Sequence, residues 1–233
     1  MGPKFSTRLA LGMIACFAPL SASAAFVSPT SWSRGIGGTT YQEWDVFSTN
    51  SGATPDVGNV NGNGTASLTE TVSGSFITSG GNIYHAGAAS SFTVTTPEAD
   101  VTAPAPDHNV TAIVQIRSQG TELDYSSVLL NGIAAVDTAE LGRIALGGFG
   151  GELVDSWFLF NIPYAAFGDG IPGVEDLTLT FNATGAHMSL DRLSIDTAIQ
   201  PFGFYAEPNP VPEPASLALL GLGAITMLTR RRA

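Results

Sequence analysis

The sequence predicts an all-β protein, a single jelly-roll-like β-sandwich with an N-terminal signal peptide and a C-terminal apolar helix. Three observations carry that reading. Between positions 26 and 206 apolar residues recur with period two and almost nowhere with the 3.6-residue period of a helix. Pro97, Pro104, Pro106, Pro163 and Pro172 fall between the apolar runs, where they punctuate strands without interrupting them. Both chain ends, by contrast, join an uncharged apolar run to basic residues.

Taken in chain order, residues 1–24 begin with Lys4 and Arg8, continue through an apolar run from Leu9 to Leu20 and close on Ser21-Ala22-Ser23-Ala24. That is the plan of a secretory signal peptide cut after Ala22-x-Ala24, and Pro19 argues against a buried helix. A lipoprotein cleavage before Cys16 is the lesser alternative, because only a short apolar stretch precedes it. Strand candidates follow at Thr40 to Phe47, at Leu68 to Phe76 with Leu68, Val72 and Phe76 inward, and at Ser91 to Thr96. Val110, Ala112, Val114 and Ile116 alternate with Thr111, Ile113, Gln115 and Arg117 as in a half-buried strand. Asn131-Gly132 between Val128-Leu129-Leu130 and Ile133 to Val136 is a two-residue hairpin signal, since both positions require positive φ. Val154 to Ile162, Leu177 to Ala183 and His187 to Ile195 complete about nine or ten strands, a number that suits a sandwich. One domain over residues 25–206 follows, then a short stiff linker at 207–211 carrying Pro208 and Pro210.

After the linker come Pro212, Glu213 and Pro214, an apolar stretch over 215–229 and the cluster Arg230, Arg231 and Arg232. A helix of 15 residues spans about 22 Å, short of the roughly 30 Å hydrocarbon core, yet its apolar residues go all round the axis as in a membrane segment. Basic residues at both ends place both ends in the cytoplasm and the interior outside. Residues 212–233 resemble the C-terminal sorting signal of PEP-CTERM proteins, through the Pro-Glu-Pro tripeptide, the glycine-containing helix with Gly221 and Gly223, and the terminal arginines. The resemblance implies recognition by an exosortase, a membrane transpeptidase cleaving near the tripeptide, in a Gram-negative bacterium that makes exopolysaccharide. It implies transient inner-membrane anchoring before processing, and delivery to the cell envelope or extracellular matrix. A plain tail anchor is the alternative.

Charge and composition narrow the function. Residues 25–210 hold four basic residues and 19 acidic ones, a net of −15, which excludes a nucleic-acid partner. The single cysteine, Cys16, excludes a disulfide framework and a thiolate-rich zinc site. Asn59, Asn61 and Asn63 with Gly64 and Glu70 have the spacing of a calcium loop. Only Glu70 in it is a carboxylate, so the competing reading is an Asn/Gly loop with Glu70 on a solvated face. His85, His108 and His187 have no metal-ligand spacing, and Gly147 to Gly151 lacks the Lys-Ser/Thr of a phosphate loop. Glu122 with Asp124, Asp191 with Asp196, and Glu175 with Asp176 are pairs of the kind a glycosidase uses, their separation in space being the deciding quantity. His187 to Asp196 resembles the last core strand of carbohydrate-binding jelly rolls, against a terminal strand in which Asp191 and Arg192 face solvent. Of the aromatics that could stack on a sugar, namely Trp32, Tyr41, Trp44, Tyr84, Tyr125, Trp157 and Tyr164, Trp157 reads as core and Trp32 as surface. The leading expectation is an exported, non-enzymatic envelope or matrix protein associated with exopolysaccharide. The alternatives are a lectin-like carbohydrate-binding module supported by calcium, and a glycoside-active enzyme.

Overall fold

A computed structural model describes residues 26–58, 64–97, 108–147, 150–163 and 176–201. Among these residues every regular element is a strand: β1 (Thr39–Trp44), β2 (Ser67–Glu70), β3 (Phe76–Ile77), β4 (Ile83–Tyr84), β5 (Ser91–Pro97), β6 (His108–Gly120), β7 (Leu123–Leu130), β8 (Ile133–Ala134), β9 (Asp137–Ala145), β10 (Glu152–Pro163), β11 (Asp176–Ala183) and β12 (Met188–Pro201). They pair antiparallel in two sheets. The larger has the order β3-β4-β12-β6-β10-β9, with β1 also paired to β12, and the smaller has the order β2-β5-β11-β7-β8. The signal peptide, the linker, the apolar helix at 215–229, the sorting tripeptide and the arginine cluster lie outside the described residues.

One apolar cluster draws on both sheets, as facing layers with period-two patterning require. Val114, Ile116, Phe158, Phe160, Leu193 and Ile195 of the larger sheet meet Leu68, Phe92, Val94, Leu179 and Phe181 of the smaller. Phe92 and Phe181 are cross-strand partners whose rings stack at 4.8 Å between centroids. Thr96 on β5 donates to Gln42 Oε1 on β1 at 2.7 Å, so the buried polar pair between the sheets is satisfied.

The alternation expected of β6 is present, but its consequence is different. Residues 109–118 are buried on both faces. The cause is the stretch before β1, which crosses the outer face of the larger sheet. Val27 donates its amide to Gln115 Oε1 and accepts from Gln115 Nε2, both at 2.8 Å, so the side-chain amide pairs with the crossing chain as a strand edge would. Trp32, expected at the surface, is only 8% exposed and packs with Ile113, Trp157, Leu159 and Ala198 in a second cluster. Trp157 is core as expected.

Three further expectations are corrected. The strand over Leu68 to Phe76 stops at Glu70, and Phe76 emerges as an exposed residue on the other sheet. Three short or polar strands, β3, β4 and β9, raise the number to twelve among the described residues. Finally, β12 bulges between Leu190 and Arg192, and Asp191 and Arg192 are half-buried there instead of facing solvent. The Asn131-Gly132 hairpin is as expected, with φ of 49° and 74°.

Candidate functional site

The bulge in β12 lies where that strand changes neighbours along one side, from β4 at Ser189 and Leu190 to β1 from Leu193 onward. It opens the outer face of the larger sheet to two adjoining features, a row of charges and a groove.

The charges form a line across the strands. Asp155 on β10 faces Arg117 on β6, which in turn faces Arg192 on β12. Two arginines directly opposite each other would repel. Asp155 grips Arg117 through two bonds, Nε–Oδ1 at 2.6 Å and Nη2–Oδ2 at 3.0 Å, while Arg192 pairs with Asp45 at 2.6 Å. Asp191 stands between them, its Oδ2 4.0 Å from Arg117 and 3.7 Å from Arg192. Burial raises its carboxyl above the ordinary value, although both arginines and a hydrogen bond with Asn82 oppose that rise. A second buried pair lies further along β12. Asp196, fully buried, takes Arg34 Nε at 2.6 Å and Nη2 at 2.8 Å, and the guanidinium lies over the Tyr41 ring at 3.5 Å. Burial and the bond to Glu43 push the Tyr41 phenol far up.

The groove occupies about 920 Å³ at the end of the same face. Gln119, Ser189, Tyr84 and Phe76 are successive cross-strand partners on β6, β12, β4 and β3, so their side chains form one row along its floor. The Phe76 and Tyr84 rings meet edge to face at 5.5 Å. Tyr84 Oη is 2.8 Å from His187 Nδ1. His187 holds a left-handed φ of 72°, a strained setting for a residue with a side chain. Its carbonyl oxygen would stand 2.3 Å from a Cβ at Gly120, and Gly120 Cα would stand 2.8 Å from one at Gly151, so three backbones close the groove's end with no room for side chains. Among the described residues no Asp, Glu, Lys or Arg lines the groove.

A second cleft, of about 410 Å³, opens between β7 and the β9 and β10 edge. Arg143 is bound there by Glu122 at 2.7 Å, by Glu140 at 2.7 Å and by Glu152. The Arg143 bond holds the Glu140 carboxyl below its usual value.

The sequence-level candidates distribute unevenly over these features. Glu122 is tied to Arg143, and Asp124 accepts from Ser126 N and Oγ at 3.0 and 2.6 Å. Asp191 and Asp196 serve separate arginines, and Glu175 lies outside the described residues. Asn59, Asn61 and Asn63 also lie outside them, as do Ala22, Ala24, Tyr164, Pro212, Glu213, Pro214, Arg230, Arg231 and Arg232. Glu70 is not on a solvated face: it is 7% exposed, one oxygen accepts from Ser91 N at 3.4 Å, and Oε2 is buried with no hydrogen-bond partner. Among the described residues no group of three or more His, Cys, Asp or Glu could hold a metal. His85 Nδ1 accepts from Gly87 N and Ala88 N, which places its proton on Nε2, facing Ser73 O. Trp44 and Tyr41 are buried, leaving Tyr84 and Tyr125 as the half-buried aromatics on clefts. Phe76, Asn82, Gln119 and Ser189 were not legible as site residues. Only Gly74 and Gly80-Gly81, which break the strand pattern around Phe76, hint that this segment turns outward.

Fold and site together define an all-β protein of two packed antiparallel sheets with an open, uncharged groove on its outer face. Residues 210–232 match the PEP-CTERM protein-sorting motif. That motif marks an exported protein sorted by an exosortase to the cell envelope or extracellular space, with exosortase as a partner. No curated protein and no solved structure matches the chain.

Proposed function

We propose that the chain is a non-enzymatic component of the cell envelope or extracellular matrix, associated there with exopolysaccharide. A signal peptide over residues 1–24 starts its export, the apolar helix at 215–229 anchors it briefly in the inner membrane, and exosortase then removes that helix. The observation that carries the reading is the sorting motif at 210–232. Support for the non-enzymatic part comes from the carboxylates: Asp155 and Asp196 are held by arginines at 2.6 Å and Glu122 by one at 2.7 Å, a poor setting for proton transfer.

The test is intact mass of the exported protein. The expected form begins near Ala25 and lacks Arg230 to Arg232. Replacing Pro212, Glu213 and Pro214 with alanines should leave an uncleaved, membrane-bound chain. Unchanged processing in that variant would defeat the sorting role assigned to the tripeptide. A second reading, a lectin-like module supported by calcium, is favoured by Glu70 Oε2, a buried carboxylate oxygen with no hydrogen-bond partner. A melting shift on adding calcium, lost in Glu70→Gln, would select it.

A further inference from the structure

We infer that the groove on the outer face is the point of polysaccharide contact, and that it takes an uncharged glycan chain; this rests on the matrix reading above. Three features of the groove converge on that ligand. First, its lining joins two aromatic rings set edge to face, the half-exposed Phe76 and Tyr84, to short hydroxyl and amide side chains. Sugar rings present apolar C–H faces and a rim of hydroxyls, and this lining offers a partner to each. Second, no Asp, Glu, Lys or Arg among the described residues lines the groove, although residues 25–210 carry a net of −15, so its neutrality is local in an acidic chain. An acidic polymer would be repelled by the surroundings, whereas a neutral one is indifferent to them. Third, the floor crosses four strands, or three spacings of about 4.8 Å, which gives roughly 14 Å of contact and suits a run of sugars better than a single ring.

The site is also built to hold its shape. Phe76 is 51% exposed, a large apolar surface left in solvent, while Tyr84 behind it is fixed by the bond to His187. His187 is in turn fixed by the strained φ and by the close backbone packing of Gly120 and Gly151. Pre-ordering of this kind lowers the entropy lost when a chain binds. Placement suits an anchored protein as well. From Ser189 in the groove, β12 runs to Pro201, about 40 Å of strand, before the chain leads on to the sorting motif. Contact with a glycan and attachment at the C-terminal side therefore occupy opposite ends of β12.

Affinity electrophoresis of the full-length protein in detergent, through gels containing β-glucan, galactomannan, dextran or polygalacturonate, tests the inference. At least one neutral polymer should retard the wild type, and polygalacturonate should not. Phe76→Ala and Tyr84→Ala should each weaken retardation about tenfold, at an unchanged melting temperature. If Tyr84→Ala fails to fold, Phe76→Ala decides alone, because that ring is already half in solvent. Retardation by a neutral polymer that survives Phe76→Ala overturns the groove and leaves polysaccharide association standing. Retardation by polygalacturonate alone overturns the neutral ligand. With no retardation by any polymer, both the groove and the association fall, while the mass of the processed chain still reports separately on sorting.

Discussion

At Asp191 an extra residue enters β12 just where the strand exchanges one neighbour for another, and its carboxylate is drawn under cover. Burial raises its pKa, the two nearby arginines not fully compensating. The sign follows from linkage: over the interval between the unfolded value, about 3.9, and the raised folded value, the unfolded chain binds fewer protons. Stability contributed at this site is therefore lost as pH rises through that interval. Asp191→Asn removes the titration, so the variant should melt higher than wild type at pH 7, with the gap closing near pH 4. Melting curves at the two pH values check it, and a gap that does not change with pH would refute it. Glu70 shows the limit of reading single residues. Its spacing from Asn59 is visible in the sequence, but its burial is not, because it follows from the pairing of Glu70 with Phe92, a contact between distant segments.

Elements differ in how much of their setting is local. The hairpin at Asn131-Gly132 was legible because its turn chemistry is contained in two residues. Strand β9 was not, since Glu140 and Arg143 break the apolar alternation. Those charges belong to an edge strand, and Arg143, held by three glutamates, gives that edge a charged character unsuited to pairing with another chain. The burial of Trp32 in the segment before β1 is hidden for a related reason: the Ser and Gly content there is that of a loop, and nothing local announces that it seals Ile113 and Trp157. Its tether is the Arg34 and Asp196 pair. Arg34→Ala would take from the buried Asp196 the guanidinium that holds it through two bonds, at a cost on the order of 3 kcal/mol. For a domain of this size that corresponds to a fall of roughly 6–12 °C in melting temperature. Adding Asp196→Asn should recover part of the loss. An Arg34→Ala protein that melts with the wild type would mean that the tether contributes nothing to the fold.

For the whole molecule, the two-layer all-β architecture was legible because period-two patterning reports which face of a strand is apolar, whereas the sheet order and the groove depend on pairings between distant segments. Those pairings also set where the fold can be cut. The described members of both apolar clusters run from Trp32 to Ile199, and the last strand ends at Pro201, before the sorting motif begins at 210. Removing the C-terminal signal should then cost the sandwich little, a necessary property if the exported domain is to outlast its own anchor. The exported protein cut after residue 206 should give a β-rich circular dichroism spectrum and unfold cooperatively. Its melting temperature should lie within about 2 °C of the uncut chain, less than the shift expected for 1 kcal/mol in a domain of this size. A spectrum with helix near the usual third of a globular protein would contradict the architecture. A large drop in melting temperature on cutting would instead show that the tail is part of the folded unit.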